Sequence, residues 1–279
     1  MTIKIIPMPA IQPAKLRMQA ARLAELFDQP AALARALRGL LELYSDRTHR
    51  AGQSGEPPPL LASYNVPAPV VRQVLNELRL RARQDAGPTL MLCRIMWDEP
   101  YLEVRLAAAS LLGMAPVEPP QPVLDLVNAW LHPLPEERLQ AALLNQGMAR
   151  LRQENPAALL VLSQEWLADP RLVYQQIALR ALRGLAEEIG VDHLPDIFPL
   201  VTPHLRSAPK PLRPELLDLL AAMARRSPPE TAFVLRQNLD APDNPDTAWL
   251  IRQILDEFPT AQKESLKAAM KSKPVPRGA

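Results

Sequence analysis

The sequence predicts an all-α protein, and three observations carry that prediction. Leu, Ala, Arg and Gln abound, aromatic residues are only 4% of the chain, and runs of β-branched residues are scarce, which is the composition of helices rather than sheets. Apolar residues recur at spacings of three and four, as in Leu172, Ile177, Leu179, Leu182, Leu185 and Ile189, the period that lays an apolar stripe along one face of a helix. The 32 prolines, set against 9 glycines, mostly precede such stretches, where a helix has no use for the N–H that proline lacks.

Taken in order, the spacing predicts helices over 13–27, 30–45, 68–85, 88–97, 100–114, 121–131, 135–152, 156–168, 170–189, 194–206, 212–226, 229–239, 245–257 and 260–272. Asp28 before Pro30, and Asp169 before Pro170, read as N-caps followed by an early-turn proline. The stretch from Arg47 to Ser63, with Gly52, Ser54, Gly55 and Pro57-Pro58-Pro59, reads as a loop.

The helices come in repeated pairs. Their junctions align as Met96-Trp97-Asp98-Glu99-Pro100, Ala129-Trp130-Leu131-His132-Pro133, Glu165-Trp166-Leu167-Ala168-Asp169-Pro170, His204-Leu205-Arg206 before Pro209, and Asn238-Leu239-Asp240-Ala241-Pro242. A single helix pair cannot bury its apolar face, so neighbouring pairs must stack. The period of about 33–41 residues lies between tetratricopeptide and HEAT lengths, and the tetratricopeptide signature does not recur. The expected fold is therefore a right-handed superhelical solenoid of HEAT-like helix pairs, an armadillo-type fold. Its expected organisation is a basic helical pair over 1–50, a Pro/Gly-rich loop over 51–63, the repeat solenoid over 64–260 and a basic tail over 261–279.

Composition excludes several functions. No three glycines share a six-residue window and Gly-Lys-Ser/Thr never occurs, so neither a dinucleotide fingerprint nor a Walker A loop is present. Cys93 is the lone cysteine, and the four histidines form no H-x-x-x-H pair, so no metal site or cofactor is expected. No run of about 18 apolar residues occurs, the first residues do not read as a signal peptide, and a cytoplasmic location is expected. The net charge of +2 is uneven: residues 1–50 carry 8 basic and 4 acidic side chains, whereas 51–250 carry 18 and 23.

Two segments bear a family likeness. Tyr64-Asn65-Val66-Pro67-Ala68-Pro69-Val70-Val71-Arg72 and Met96-Trp97-Asp98-Glu99-Pro100-Tyr101-Leu102-Glu103-Val104-Arg105-Leu106-Ala107-Ala108 resemble motifs of the DNA alkylation repair glycosylases of HEAT-like fold. The resemblance implies a concave basic face that grips DNA and excision of N-alkylated bases. It also implies a site made of an Asp one turn after a Trp, an Arg in the next repeat and a later Trp. Those positions fall here near Glu136 and Glu137, near Gln176 with Arg180 one turn on, and near Asp218, so the family's catalytic set is not found.

Glu137 is the weak catalytic candidate, because a glycosylase needs a carboxylate beside the sugar, although a first-turn Glu also complements the helix dipole. Trp97, Trp130 and Trp166 recur in phase with the repeat and read as core between repeats rather than as a base cradle. Glu103 reads as helix-start stabilisation or one half of a pair between repeats. Arg outnumbers Lys by 25 to 7, and Arg72, Arg79, Arg105, Arg138, Arg180, Arg183 and Arg213 are the candidate phosphate contacts, with Arg83 extending the series. The function expected is that of a DNA-binding protein related to alkylation repair enzymes, without base excision, its partner double-stranded DNA. One alternative is a protein-interaction scaffold using the solenoid groove, and another is an active N-alkylpurine glycosylase with a displaced carboxylate. No membrane partner is expected.

Overall fold

The computed structural model describes residues 11–46, 60–132, 134–188, 194–241 and 244–272. Helix makes up 78% of the protein, and no strand occurs among the described residues. Most of the 51–63 loop and the end of the 261–279 tail lie outside them. The chain divides into two compact units, Met1–Asn155 and Pro156–Ala279.

The first unit holds α1 (Pro13–Ala24), α2 (Pro30–Leu43), α3 (Ala68–Gln84), α4 (Ala86–Trp97), α5 (Leu102–Leu112), α6 (Gln121–Trp130), α7 (Glu137–Ala142) and α8 (Ala149–Glu154). Proline occupies the first turn of α1, α2, α3 and α6, as the sequence predicts. Packing runs α1 on α3, α3 on α5 and α5 on α7, with α2 on α4 beside them. Each helix buries one stripe, for example Leu16, Ala20 and Leu23 in α1, or Val70, Val74, Leu78 and Ala82 in α3. In the middle of this layer α5 is buried nearly all round, leaving only Arg105, Leu106 and Ser110 partly open.

The single helix predicted over 135–152 is interrupted. A π-helical turn, Leu143–Gly147, separates α7 from α8, with the Met148 N–H donating to Leu143 O at 3.0 Å. A π turn leaves carbonyls without their usual donors. The buried Arg152 supplies replacements, donating from Nη1 to Leu144 O and from Nη2 to Asn145 O, both at 2.7 Å. Helical periodicity does not register a one-residue bulge whose carbonyls a distant side chain satisfies.

The second unit holds α9 (Pro156–Ala168), α10 (Leu172–Glu187), α11 (Leu194–Arg206), α12 (Arg213–Arg226), α13 (Pro228–Leu239), α14 (Thr247–Ile254) and α15 (Thr260–Ser272). Here α10, α12 and α14 pack in one row, and α9, α11, α13 and α15 in another. Side-chain bonds tie each pair to the next at nearly constant separation: Gln176 to Pro211 O, Arg180 to Glu215 and Arg183 to Asp218 at 35 residues, Arg213 to Asp246 at 33, and Arg225 to Glu257 at 32. The repeat visible in the Trp and Leu spacings is thus also the spacing of the cross-links.

Two expectations about single residues resolve differently. Asp28 does not cap α2, whose N-cap is Gln29 without a side-chain bond; it pairs instead with Arg81 at 2.7 Å. Asp169 does not cap α10 either, whose N-cap is Arg171 without a side-chain bond; it accepts from the Arg171 N–H at 2.8 Å and pairs with the Arg171 guanidinium at 2.7 Å. Trp97 and Trp166 are buried as expected, and the partly exposed Trp130 stacks on Trp97 with ring centroids 4.3 Å apart.

Candidate nucleic-acid interface

The basic surface of the first unit starts from the register of α3. With Val70, Val74, Leu78 and Ala82 facing the core, residues 72, 76, 79 and 83 fall on the opposite side at about 100° per residue. Arg72, Asn76, Arg79 and Arg83 are accordingly all exposed. The three arginines have no acidic partner among the described residues. Arg81, on the inner side of the same helix, has two, Asp28 and Asp85, and lies 5.2 Å from the Phe27 ring centroid. Next in the layer, α5 presents Leu106 and Ser110, and beyond it Arg138, Ala141, Asn145 and Gln146 stand exposed on α7 and the π turn.

One guanidinium holds these elements in register. Arg150 Nη1 donates to Arg83 O at 3.0 Å and to Met114 O at 2.9 Å, so one cation caps the carboxyl-terminal ends of α3 and α5. Its Nε donates to Glu154 at 2.8 Å.

The amino-terminal end of α3 is set by a buried carboxylate. Glu103 of α5 accepts from the Ser63 hydroxyl at 2.6 Å, from Asn65 N–H at 2.7 Å and from Tyr64 N–H at 3.1 Å. Asn65 has φ of 52°, the left-handed region that Asn tolerates better than most residues. Tyr64 and Tyr101 stack with centroids 4.1 Å apart, and Leu102 N–H donates to Ala62 O at 2.8 Å. The motif glutamate therefore anchors the segment that leads into the arginine helix. Truncating it leaves the Tyr64 N–H without an acceptor and the Asn65 N–H with only the Ser63 hydroxyl at 3.1 Å, and Glu103→Ala is expected to lower stability by about 2 kcal/mol. Urea denaturation followed by tryptophan fluorescence checks this; a midpoint equal to the parent's would refute it.

The remaining sequence candidates have other surroundings. Arg105 donates to Glu99 O at 2.7 Å and lies 5.9 Å from the Trp97 ring centroid, bracing the Pro100 turn. Glu137 is exposed in the first turn of α7, while Glu136 beside it is buried and accepts from Leu60 N–H at 2.7 Å. In the second unit Arg180 pairs with Glu215 at 2.7 Å, and Arg183 with Asp218 at 3.1 Å and Glu187 at 3.4 Å. Arg213 pairs with Asp246 at 3.0 Å and stacks 4.6 Å from Trp249. The positions to which the family likeness assigns chemistry hold structural bonds: Glu136 to Leu60, Gln176 to Pro211 O, Asp218 to Arg183. Sequence reasoning passed over Arg150 and Arg152, whose carbonyl partners have no sequence signal, and Trp249, which stands outside the Trp repeat.

No group of side chains suited to a metal occurs among the described residues, nor any helix long and apolar enough to cross a membrane. Burial pushes the Cys93 thiol well above its ordinary pKa, which keeps it protonated and unreactive.

The fold and this surface define an all-helical protein of packed helices with a row of exposed arginines on α3 that have no acidic partner among the described residues. The chain belongs to the DNA alkylation repair enzyme family, whose sequence model matches residues 49–254. Comparison with curated proteins gives no match. Among solved structures, the crystal structure of an engineered protein from the Northeast Structural Genomics Consortium is similar over 90% of this chain and 97% of its own, at 16% identity and a TM-score of 0.38.

Proposed function

We propose that this protein binds duplex DNA through the outer face of α3 and the neighbouring α7, as a right-handed HEAT-like solenoid that does not excise bases. The observation that carries it is the contrast between arginines. Arg72, Arg79 and Arg83 stand in a row without a carboxylate partner among the described residues, and Arg138 is exposed beyond α5, whereas Arg180, Arg183 and Arg213 are each matched by an acid. Unpaired guanidiniums at one- and two-turn spacing suit phosphate oxygens, which accept from their forked N–H groups. Family membership supplies DNA as the polyanion. The absence of excision is supported by Glu136, already committed to Leu60, and by Glu137, which stands in open solvent where no low-dielectric site would strengthen its charge.

The test is fluorescence anisotropy with a short labelled duplex at several salt concentrations. The logarithm of the association constant is expected to fall linearly in log salt with a slope of about −3, as for three or four phosphate contacts. A duplex containing N7-methylguanine should release no base above the uncatalysed rate. Absence of binding even at low salt would overturn the DNA reading and leave a protein scaffold. Base release lost in Glu137→Gln would overturn the non-excising one.

A further inference from the structure

The π turn between α7 and α8 is an element the binding reading leaves unexplained. A regular helix over the same residues would keep every carbonyl bonded without help from Arg152. The turn is also expensive in space, since it drives the backbone of Gln146 against α5. A Cβ on Gly113 would lie 1.8 Å from Gln146 O and 2.8 Å from its carbonyl carbon, so only glycine fits opposite it. Gly147, within the turn, also faces α5, where a Cβ would meet Ala109 O at the ordinary contact distance of 3.4 Å. Gly113 and the Arg152 guanidinium thus accommodate a local distortion in the layer that also holds α3.

The distortion places the side chain of Gln146. It is exposed, and its Oε1 lies 2.6 Å from the Ser110 hydroxyl, which donates to it; Leu106 O, at 3.0 Å, is that hydroxyl's other acceptor within reach. Engaging Oε1 toward α5 turns the two Nε2–H donors outward, and they have no acceptor among the described residues. An oriented donor pair needs no further ordering to meet an anion, because its rotamer is already held. The strip α5 offers between α3 and Gln146 is shallow, formed by Leu106 and Ser110, so a strand lying over it reaches the arginines on one side and the amide on the other.

We infer that Gln146 is a duplex-contacting residue, its amide presented by the π turn and oriented by Ser110, donating a neutral hydrogen bond to the sugar-phosphate backbone. This rests on the DNA-binding reading and adds a contact of a different kind. A neutral donor releases no counterion, so its loss weakens binding without changing the salt slope, whereas loss of an arginine lowers the slope.

The experiment measures duplex affinity of the full chain across a salt series for the parent, Gln146→Ala, Ser110→Ala and Arg79→Gln, with thermal melting of each. Gln146→Ala is expected to bind about three- to tenfold more weakly, Ser110→Ala to lose a smaller factor, and both to keep the parent's slope and melting temperature. Arg79→Gln should lower the slope by about one. Gln146→Ala binding as tightly as the parent, or losing affinity with an altered slope, would overturn the inference while leaving DNA binding intact. A parent that binds no duplex would overturn both.

Discussion

Gly113→Ala is expected to destabilise the first unit by at least about 3 kcal/mol, the upper part of the range for overpacking a fitted interior. Conformation is not the reason. Gly113 has φ of −71°, which any residue adopts, and it closes α5 in ordinary right-handed geometry. Space is the reason: the new methyl would lie 1.8 Å from Gln146 O, far inside van der Waals contact, and the obstacle is backbone. That backbone cannot swing away cheaply. The carbonyls of residues 144 and 145 are held by Arg152. Gly39 supplies the contrast. It lies within α2 with nothing within 4 Å of a Cβ, so Gly39→Ala is expected to stabilise by about 0.5–1 kcal/mol through helix propensity. Urea titration of both variants, read by tryptophan fluorescence, compares one chemical change with opposite expected signs. Equal midpoints for parent and Gly113→Ala would show that α5 and the π turn do not meet as described.

Reversing the α3 charges, in Arg72→Glu, Arg79→Glu and Arg83→Glu together, is expected to weaken duplex binding by more than about 100-fold at low salt. Losing three phosphate contacts removes about 2.7 from the salt slope, and three new carboxylates add repulsion. Folding should survive, because all three side chains are exposed, make no ion pair among the described residues, and sit opposite the stripe from Val70 to Ala82. A triple variant that retains parental affinity with an unchanged melting curve would move the binding surface off α3. Arg180→Ala should behave differently. It strips the buried Glu215 of its partner at 2.7 Å, so its effect is expected in stability before affinity.

Much was legible before any coordinates. Proline-led apolar periodicity placed nearly every helix, because a helix start and a 3.6-residue stripe are both local properties. The repeat was legible because successive pairs re-use one kind of cross-link, as Gln176 to Pro211 O, Arg180 to Glu215 and Arg213 to Asp246 do at 33–35 residues. The family likeness of Tyr64–Arg72 and Met96–Ala108 agrees with the match over 49–254.

The sorting of the arginines was a tertiary outcome. Arg79 and Arg180 look alike in sequence; one is exposed with no acidic partner among the described residues and the other meets a carboxylate 35 residues away. Glu103 reads as a routine first-turn acid until the loop from Ser63 to Asn65 folds onto it. The π turn has no periodic signature, since it depends on Arg152 reaching back to two carbonyls and on Gly113 yielding room from another helix. Local sequence therefore determined which segments are helical and which stripe of each is apolar, because those follow from backbone geometry and the burial of a repeated face. Partnering of charges and the close approach of two backbones depend on residues far apart in the chain. Only the packed structure, by bringing those residues together, decided which arginines stay free and where a helix must bulge.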